Sequence, residues 1–111
     1  MSEKFLIYLK DINNAIDSIK KFIEGMNFEQ FKSDDKTSSA VIRKFEIIGE
    51  ATKNIPDVIK EKYPQIPWKD IAGMRDKLIH AYSEVDLNLV WKTIQQRLPE
   101  LTSFIDDILE I

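Results

Sequence analysis

The residues best suited to chemistry lie in one short stretch, residues 71–82, which contains the only histidine of the chain. An unperturbed histidine titrates near neutral pH, so His80 is the natural general acid or base. Arg75 carries a planar, permanently charged fork that matches the oxygens of a phosphate group. This pair fits the cleavage of a phosphodiester, in which His80 would move a proton and Arg75 would stabilise charge on the phosphate.

Two further side chains accompany this pair at helical spacing. If the stretch is one helix, Asp76 and His80 are four residues apart and share a face, where the carboxylate can orient the imidazole. Tyr82 follows Arg75 by seven residues and returns to the arginine's face. From composition alone, a histidine favoured by the helix dipole and a half-buried tyrosine are the commoner explanations. The presence of Arg75, Asp76, His80 and Tyr82 together favours a functional site over these structural explanations.

On the same helix Arg75 falls inside an apolar arc formed by Ile71, Met74, Leu78 and Ile79. Burial of an unpaired charge is costly, so the arginine needs a partner. Glu46 and Glu50 are four residues apart on an upstream helix, where like charges are mildly unfavourable without a cation nearby. An ion pair from Arg75 to one of them is one reading, and a solvated acidic face is the other.

Apolar residues that recur every three or four positions predict the elements that hold these side chains. Four main helices are expected at about 3–24, 34–54, 67–82 and 86–109, with a short extra helix at 57–63. Gly25 should end the first helix, and Asp86 should cap the start of the last one. Gly49 in mid-helix predicts close packing against a neighbouring helix, and Pro99 should kink the last helix. The predicted fold is all-α: an up-and-down four-helix bundle that forms a single domain over residues 1–111.

Composition restricts the function further. The net charge of −3 and the pI of about 5.2 argue against a large phosphate-tracking surface but allow a small basic cleft. One histidine and no cysteine argue against a zinc site, and no cofactor is expected. No apolar run approaches the roughly 20 residues of a membrane span. The absence of cysteine and of a signal peptide predicts a cytoplasmic protein.

The order Arg-x4-His-x-Tyr, with an aspartate after the arginine, resembles the HEPN-domain family in its HepT-like ribonuclease toxin branch. The matching residues are Arg75, Asp76, His80 and Tyr82, and the supporting segments are 49–51, 66–68 and 71–74. The resemblance covers nearly the whole chain and implies an HEPN-like fold. It also implies the toxin of a type VII toxin–antitoxin system, with a partner minimal nucleotidyltransferase that silences it by AMPylation of Tyr82.

The resulting prediction is a metal-independent endoribonuclease. An RNA 2′-hydroxyl would attack the adjacent phosphate, with His80 and Arg75 as catalytic residues and Asp76 in support. Single-stranded RNA is the expected substrate because its bases and 2′-hydroxyls can enter a groove, whereas no DNA is expected to bind. RNA cleavage of this kind needs a proton acceptor and a proton donor, whereas each chain has one histidine. We therefore predict a homodimer in which Arg75 and His80 of both chains share one cleft.

The alternative is a non-catalytic helical module. It would dock on a nucleotidyltransferase and hold a nucleotide with Arg75 and His80. The acidic pI favours this reading slightly, whereas the intact set of Arg75, Asp76, His80 and Tyr82 favours the nuclease.

Overall fold

Two long helices, α1 (Phe5–Phe22) and α3 (Asp35–Lys53), pack side by side at the centre of the protein. The computed structural model describes residues 4–80 and 84–109. The apolar positions predicted from the helical repeat point inward on both helices and are almost free of solvent contact: Leu9, Ile12, Ile16, Ile19, Val41, Phe45 and Ile48. This pair therefore forms the centre of a core that the remaining elements complete.

A short helix, α2 (Phe28–Ser33), connects these two long helices. Gly25 stops the preceding chain in the left-handed region, at φ 78°, as its sequence position predicted. Asn27 then begins α2 with a capping box, in which its side chain and that of Gln30 each accept a backbone N–H at 2.9 Å. Phe31 is fully buried against Trp91, with ring centroids 5.2 Å apart. The connector is thus fixed at both ends.

Asp34 begins α3, because its carboxylate accepts the backbone N–H of Thr37 at 3.0 Å. Hydrogen bonds from the backbone and side chain of Thr37 hold the pKa of Asp34 below its usual value. After α3 the chain passes Pro56 into the short helix α4 (Asp57–Lys62), which agrees with the extra helix predicted from the sequence.

The last quarter of the chain forms α7 (Leu87–Gln96) and α8 (Leu98–Leu109). Asp86 caps α7 by accepting the backbone N–H of Leu89 at 3.0 Å, as predicted. The helical path is interrupted at Arg97, two residues before Pro99. The last helix, predicted as one kinked piece over 86–109, is therefore divided into two helices close to Pro99, which has no N–H to donate and whose ring clashes with the preceding turn.

The single helix predicted over residues 67–82 is wrong. The chain instead forms α5 (Trp68–Ala72), a turn at Gly73, α6 (Met74–Leu78) and a two-residue strand β1 (Ile79–His80). Strand β1 pairs antiparallel with β2 (Glu84–Val85), so that Ile79 lies opposite Val85 and His80 opposite Glu84.

A further hydrogen bond lies at the C-terminal end of α6. The carbonyl of Leu78 accepts the backbone N–H of Asp86 at 3.2 Å, so the last turn of α6 is satisfied from outside the helix. The two-residue strands are a local exception, and the predicted all-α bundle is confirmed as the fold class. None of the helices in the described ranges is both long and apolar enough to cross a membrane.

Candidate ribonuclease site

Arg75 lies on α6 with its side chain in contact with solvent. The side chain is 48% exposed, whereas its helix neighbours Met74 and Leu78 are buried. The sequence had placed Arg75 inside the apolar arc, and this placement is wrong. The arginine stands beside the buried stripe and not within it, so no compensating buried charge is required.

A groove of about 320 Å³ opens between α3 and the α5–α6 segment. We call it the Arg75 groove. Its charged lining residues are three cations and three carboxylates: Arg43, Lys53, Arg75, Glu46, Glu50 and Asp76. Arg75 does lie in the same groove as Glu46 and Glu50, but among the described residues it forms no ion pair with either, so of the two readings the solvated acidic face agrees better with the structure. The salt bridge that the structure gives Arg75 runs to Asp76, from Nη1 to Oδ1 at 3.4 Å.

The position of the groove wall is set by a close helix contact. A Cβ atom added to Gly49 of α3 would lie 3.1 Å from the carbonyl oxygen of Ala72 at the end of α5. A side chain at this position would press on the Ala72 carbonyl, so the absence of one favours the close approach of the two backbones and confirms the packing reason predicted for Gly49. Because α6 follows α5 after a single turn residue, this contact also positions Arg75.

Trp68 anchors the other end of α5. Its indole N–H donates to the carbonyls of Lys60 and Tyr63, at 3.2 and 3.1 Å, and its ring is buried. A buried indole that finds partners for its N–H fixes both the position and the orientation of the chain that carries it. The segment that bears Arg75 is therefore held at Trp68 and again at Ala72.

The structure brings the backbone of His80 to the end of α6, on β1, five residues after Arg75. The side chain of His80 and the whole of Tyr82 lie outside the described residues. Their roles, and the support that Asp76 was predicted to give His80, therefore stay predictions. Asp76 itself contacts the guanidinium of Arg75, a role that the helical spacing had not suggested.

Sequence reasoning missed two cations of the groove, Arg43 and Lys53. Arg43 pairs with Glu46 at 3.5 Å, three residues further along α3. A signal for both was present, because Arg43, Glu46, Glu50 and Lys53 are separated by three or four residues and so share one helix face. The two cations flank the two carboxylates on this face, and with Arg75 and Asp76 the groove as a whole carries balanced charge.

A comparison of structures defines the class of protein. A tri-AMPylated HEPN toxin of Shewanella oneidensis, solved in complex with MNT antitoxin, superposes with a TM-score of 0.75 over 100% of both chains, at 21% sequence identity. This likeness establishes an HEPN-type fold for the chain.

Sequence comparisons then give the family. Residues 12–108 match the model of the family described as Ribonuclease HepT-like. A probable ribonuclease HepT of Thermococcus cleftensis is 53% identical over 94 residues, which are 85% of this chain and 86% of that protein. A candidate RNase of Caldanaerobacter subterraneus subsp. tengcongensis is 43% identical over 103 residues, 93% of this chain and 92% of the relative. The chain belongs to the HepT-like ribonuclease family, which confirms the family and the enzyme class predicted from the motif.

Proposed function

We propose that this protein is the toxin of a type VII toxin–antitoxin pair and acts as an endoribonuclease that needs no metal ion. Membership of the HepT-like ribonuclease family supports the reaction class. The main structural support for this site is the exposed guanidinium of Arg75, which lies in an open groove on the helix that precedes strand β1 and His80. A half-exposed arginine can receive a phosphate without first giving up a buried partner.

In the proposed reaction the 2′-hydroxyl of one nucleotide attacks the adjacent phosphorus. The bond from phosphorus to the 5′-oxygen of the next nucleotide breaks, which leaves a 2′,3′-cyclic phosphate and a 5′-hydroxyl. His80 takes the proton from the 2′-hydroxyl or supplies the proton to the 5′-oxygen. Arg75 stabilises the negative charge that builds up on the phosphate oxygens, and Asp76 aims its fork.

The test is incubation of the purified protein with RNA in EDTA, followed by mapping of the ends. We expect 2′,3′-cyclic phosphate ends with wild type and none with His80→Ala. Cleavage that requires an added divalent cation, or that persists in His80→Ala, would contradict the proposed chemistry.

The proposed reaction needs one group to take a proton and another to supply one, and each chain has a single histidine. This supports a homodimer as the active form. A two-fold axis at the cleft would place Arg75 and His80 of both chains around one RNA phosphate. Analytical ultracentrifugation at micromolar concentration should show a dimer, and loss of the dimer on dilution should parallel loss of cleavage. A monomer that retains full activity would refute this arrangement.

We also propose that Tyr82 is the point of control, through AMPylation by a partner nucleotidyltransferase. The structural neighbour from Shewanella oneidensis is AMPylated and bound to an MNT antitoxin, which supports the proposal. Each AMP would add about one negative charge to a protein that, in the proposed reaction, takes up RNA phosphates. Mass spectrometry after co-expression with an adjacent nucleotidyltransferase should show the AMP increment on wild type and none on Tyr82→Phe. Silencing of Tyr82→Phe by the same partner would indicate inhibition by docking instead.

The second candidate function is a non-catalytic module that docks on a nucleotidyltransferase and holds a nucleotide. The balanced charge of the Arg75 groove and the acidic pI favour it, since neither attracts a polyanion. The cleavage test separates the two functions, because a module of this kind yields no cyclic phosphate ends.

A further inference from the structure

The Arg75 groove does not by itself explain how an acidic protein holds RNA. Its three cations, Arg43, Lys53 and Arg75, face three carboxylates, and the chain as a whole carries a net charge of −3. RNA binding rests on phosphate neutralisation, which requires an excess of positive charge along the strand's path. If the proposed function is correct, that excess must lie elsewhere on the surface near α6.

A second cavity, of about 230 Å³, lies between α6 and α7, and its charge is not balanced. We call it the Lys92 cavity. It is lined by three cationic side chains, Lys77, Lys92 and Arg97, against one carboxylate, that of Asp70. Asp70 is shared, because Lys77 approaches it at 3.1 Å and Arg97 at 4.0 Å. Lys92 is exposed and forms no salt bridge with any residue in the described part of the chain.

The floor of the Lys92 cavity is apolar. Met74 and Leu78 are buried beneath it, and Leu89 on α7 remains 36% exposed. An apolar floor under a cationic rim fits a ligand that is flat and apolar on one side and anionic on the other. The volume is below the roughly 300 Å³ at which sites for whole small molecules begin, so it fits one base or one phosphate of a longer chain.

The two cavities lie on opposite flanks of the same five-residue helix. At about 100° per residue, Arg75 and Asp76 of α6 point into the Arg75 groove, and Met74, Lys77 and Leu78 point into the Lys92 cavity. A helix with its side chains is about 10–12 Å across, a span that a strand of a few nucleotides covers. One RNA strand that crosses α6 can therefore touch both.

We propose that the Lys92 cavity is a substrate-binding subsite for single-stranded RNA, separate from the groove of Arg75. It takes one nucleotide a few positions along the strand from the scissile phosphate, with the base over Met74, Leu78 and Leu89 and the phosphate at Lys92. Single-stranded RNA suits such a site because its unstacked bases can lie against a protein surface while the backbone follows the cations. This subsite rests on the proposed ribonuclease function and adds to it the means of holding the substrate.

The experiment measures binding of a fully 2′-O-methylated RNA of ten nucleotides, which has no 2′-hydroxyl to attack, by fluorescence anisotropy over a series of salt concentrations. Lys92→Gln should raise the Kd about threefold or more at low salt and reduce the slope of log K against log salt by about 0.7, the value for one lost single-strand phosphate contact. Lys92→Arg should restore both.

Lys10→Gln is the matched control. Lys10 is exposed on α1, makes no salt bridge among the described residues and lines neither cavity, so its loss changes net charge equally. We expect no change in affinity or slope. An equal loss in Lys10→Gln and Lys92→Gln would reduce the effect to bulk charge and overturn the subsite, as would unchanged binding by Lys92→Gln.

A second measurement separates the subsite from the proposed reaction. A dinucleoside monophosphate has a single phosphate, which Arg75 takes, so Lys92→Gln should cleave it at the wild-type rate while kcat/KM for long RNA falls. Normal cleavage of long RNA by Lys92→Gln would overturn the subsite and leave the ribonuclease intact. Binding of 2′-O-methyl RNA that depends on Lys92, in a protein that cleaves no RNA, would support the subsite and reject the proposed function.

Discussion

The α1–α3 pair and the segment from α5 to β2 are built in different ways. Helices α1 and α3 have 18 and 19 residues, and their inward faces are sealed from solvent. Helices α5 and α6 have five residues each, are separated by Gly73 and carry exposed charges. Isolated helices of fewer than about 12–15 residues are marginal in water, so α5 and α6 depend on what they pack against.

This difference assigns separate tasks to the two regions. The long pair lies at the centre of the buried core, and the short pieces carry Arg75, whose side chain is 48% exposed, and the backbone of His80. The two regions are linked by the buried side chains of α5 and α6, which join the same core, and by the close contact of Gly49 with Ala72. Substitutions in the core should therefore change stability, substitutions at the site should change activity, and substitutions at the link should change both.

The largest effect on stability is expected from Ile16→Ala in α1. Ile16 is 1% exposed and lines neither cavity, so its loss leaves a void in the core. We expect the free energy of unfolding, measured in urea, to fall by about 2–5 kcal/mol. The cleavage rate per folded molecule should stay near wild type. A variant that is folded yet inactive would contradict the separation of tasks.

Gly49→Val tests the link. The added Cβ would press on the carbonyl of Ala72, so α5 must shift and take α6 and Arg75 with it. Overpacking of this kind costs about 1–3 kcal/mol, and we expect the cleavage rate to fall as well. Ser39→Val is the control. Ser39 is exposed on the same helix, and its replacement introduces the same β-branched side chain away from the Ala72 contact. Full activity in a destabilised Gly49→Val protein would show that α3 does not position Arg75.

Arg75→Lys should change activity with the smallest change in stability. Lysine keeps the charge but loses the fork that matches two phosphate oxygens, so we expect cleavage to slow at least tenfold, about 1.4 kcal/mol of barrier. The matched control is Arg43→Lys in the same groove, where the arginine is 68% exposed and pairs with Glu46. Unchanged cleavage by folded Arg75→Lys protein would make Arg75 a structural residue.

The long helices were predictable because a sustained apolar repeat and local caps define them. Asp34, Asp86, Gly25 and Pro99 all act within a few residues of their own positions, so the sequence alone shows their effect. The motif stretch also carries an apolar repeat, and that repeat extended the predicted helix to residue 82. The strand pairing of Ile79 with Val85 and the bond from Asp86 to Leu78 join residues six to eight positions apart, which helical periodicity does not reveal.

The site was predictable in its residues and less so in its geometry. The motif identified Arg75 and Asp76, and the structure places both on one groove with Glu46 and Glu50. The exposure of Arg75 depends on which face of α6 packs on the core, a tertiary matter, whereas its ion pair with Asp76 joins neighbours in the sequence. The Lys92 cavity joins residues from α6 and α7, and no spacing within one helix indicates it.

The measurement that tests the central claim most directly compares two RNA strands that differ by one oxygen atom. Once the cleavage site has been mapped, the 2′-hydroxyl at that nucleotide is replaced by hydrogen and the protein is assayed in EDTA. The account predicts cleavage of the all-ribose strand, no cleavage at the deoxy position, and no cleavage of either strand by His80→Ala. Cleavage at the deoxy position would show that the 2′-hydroxyl is not the nucleophile and would contradict the proposed mechanism.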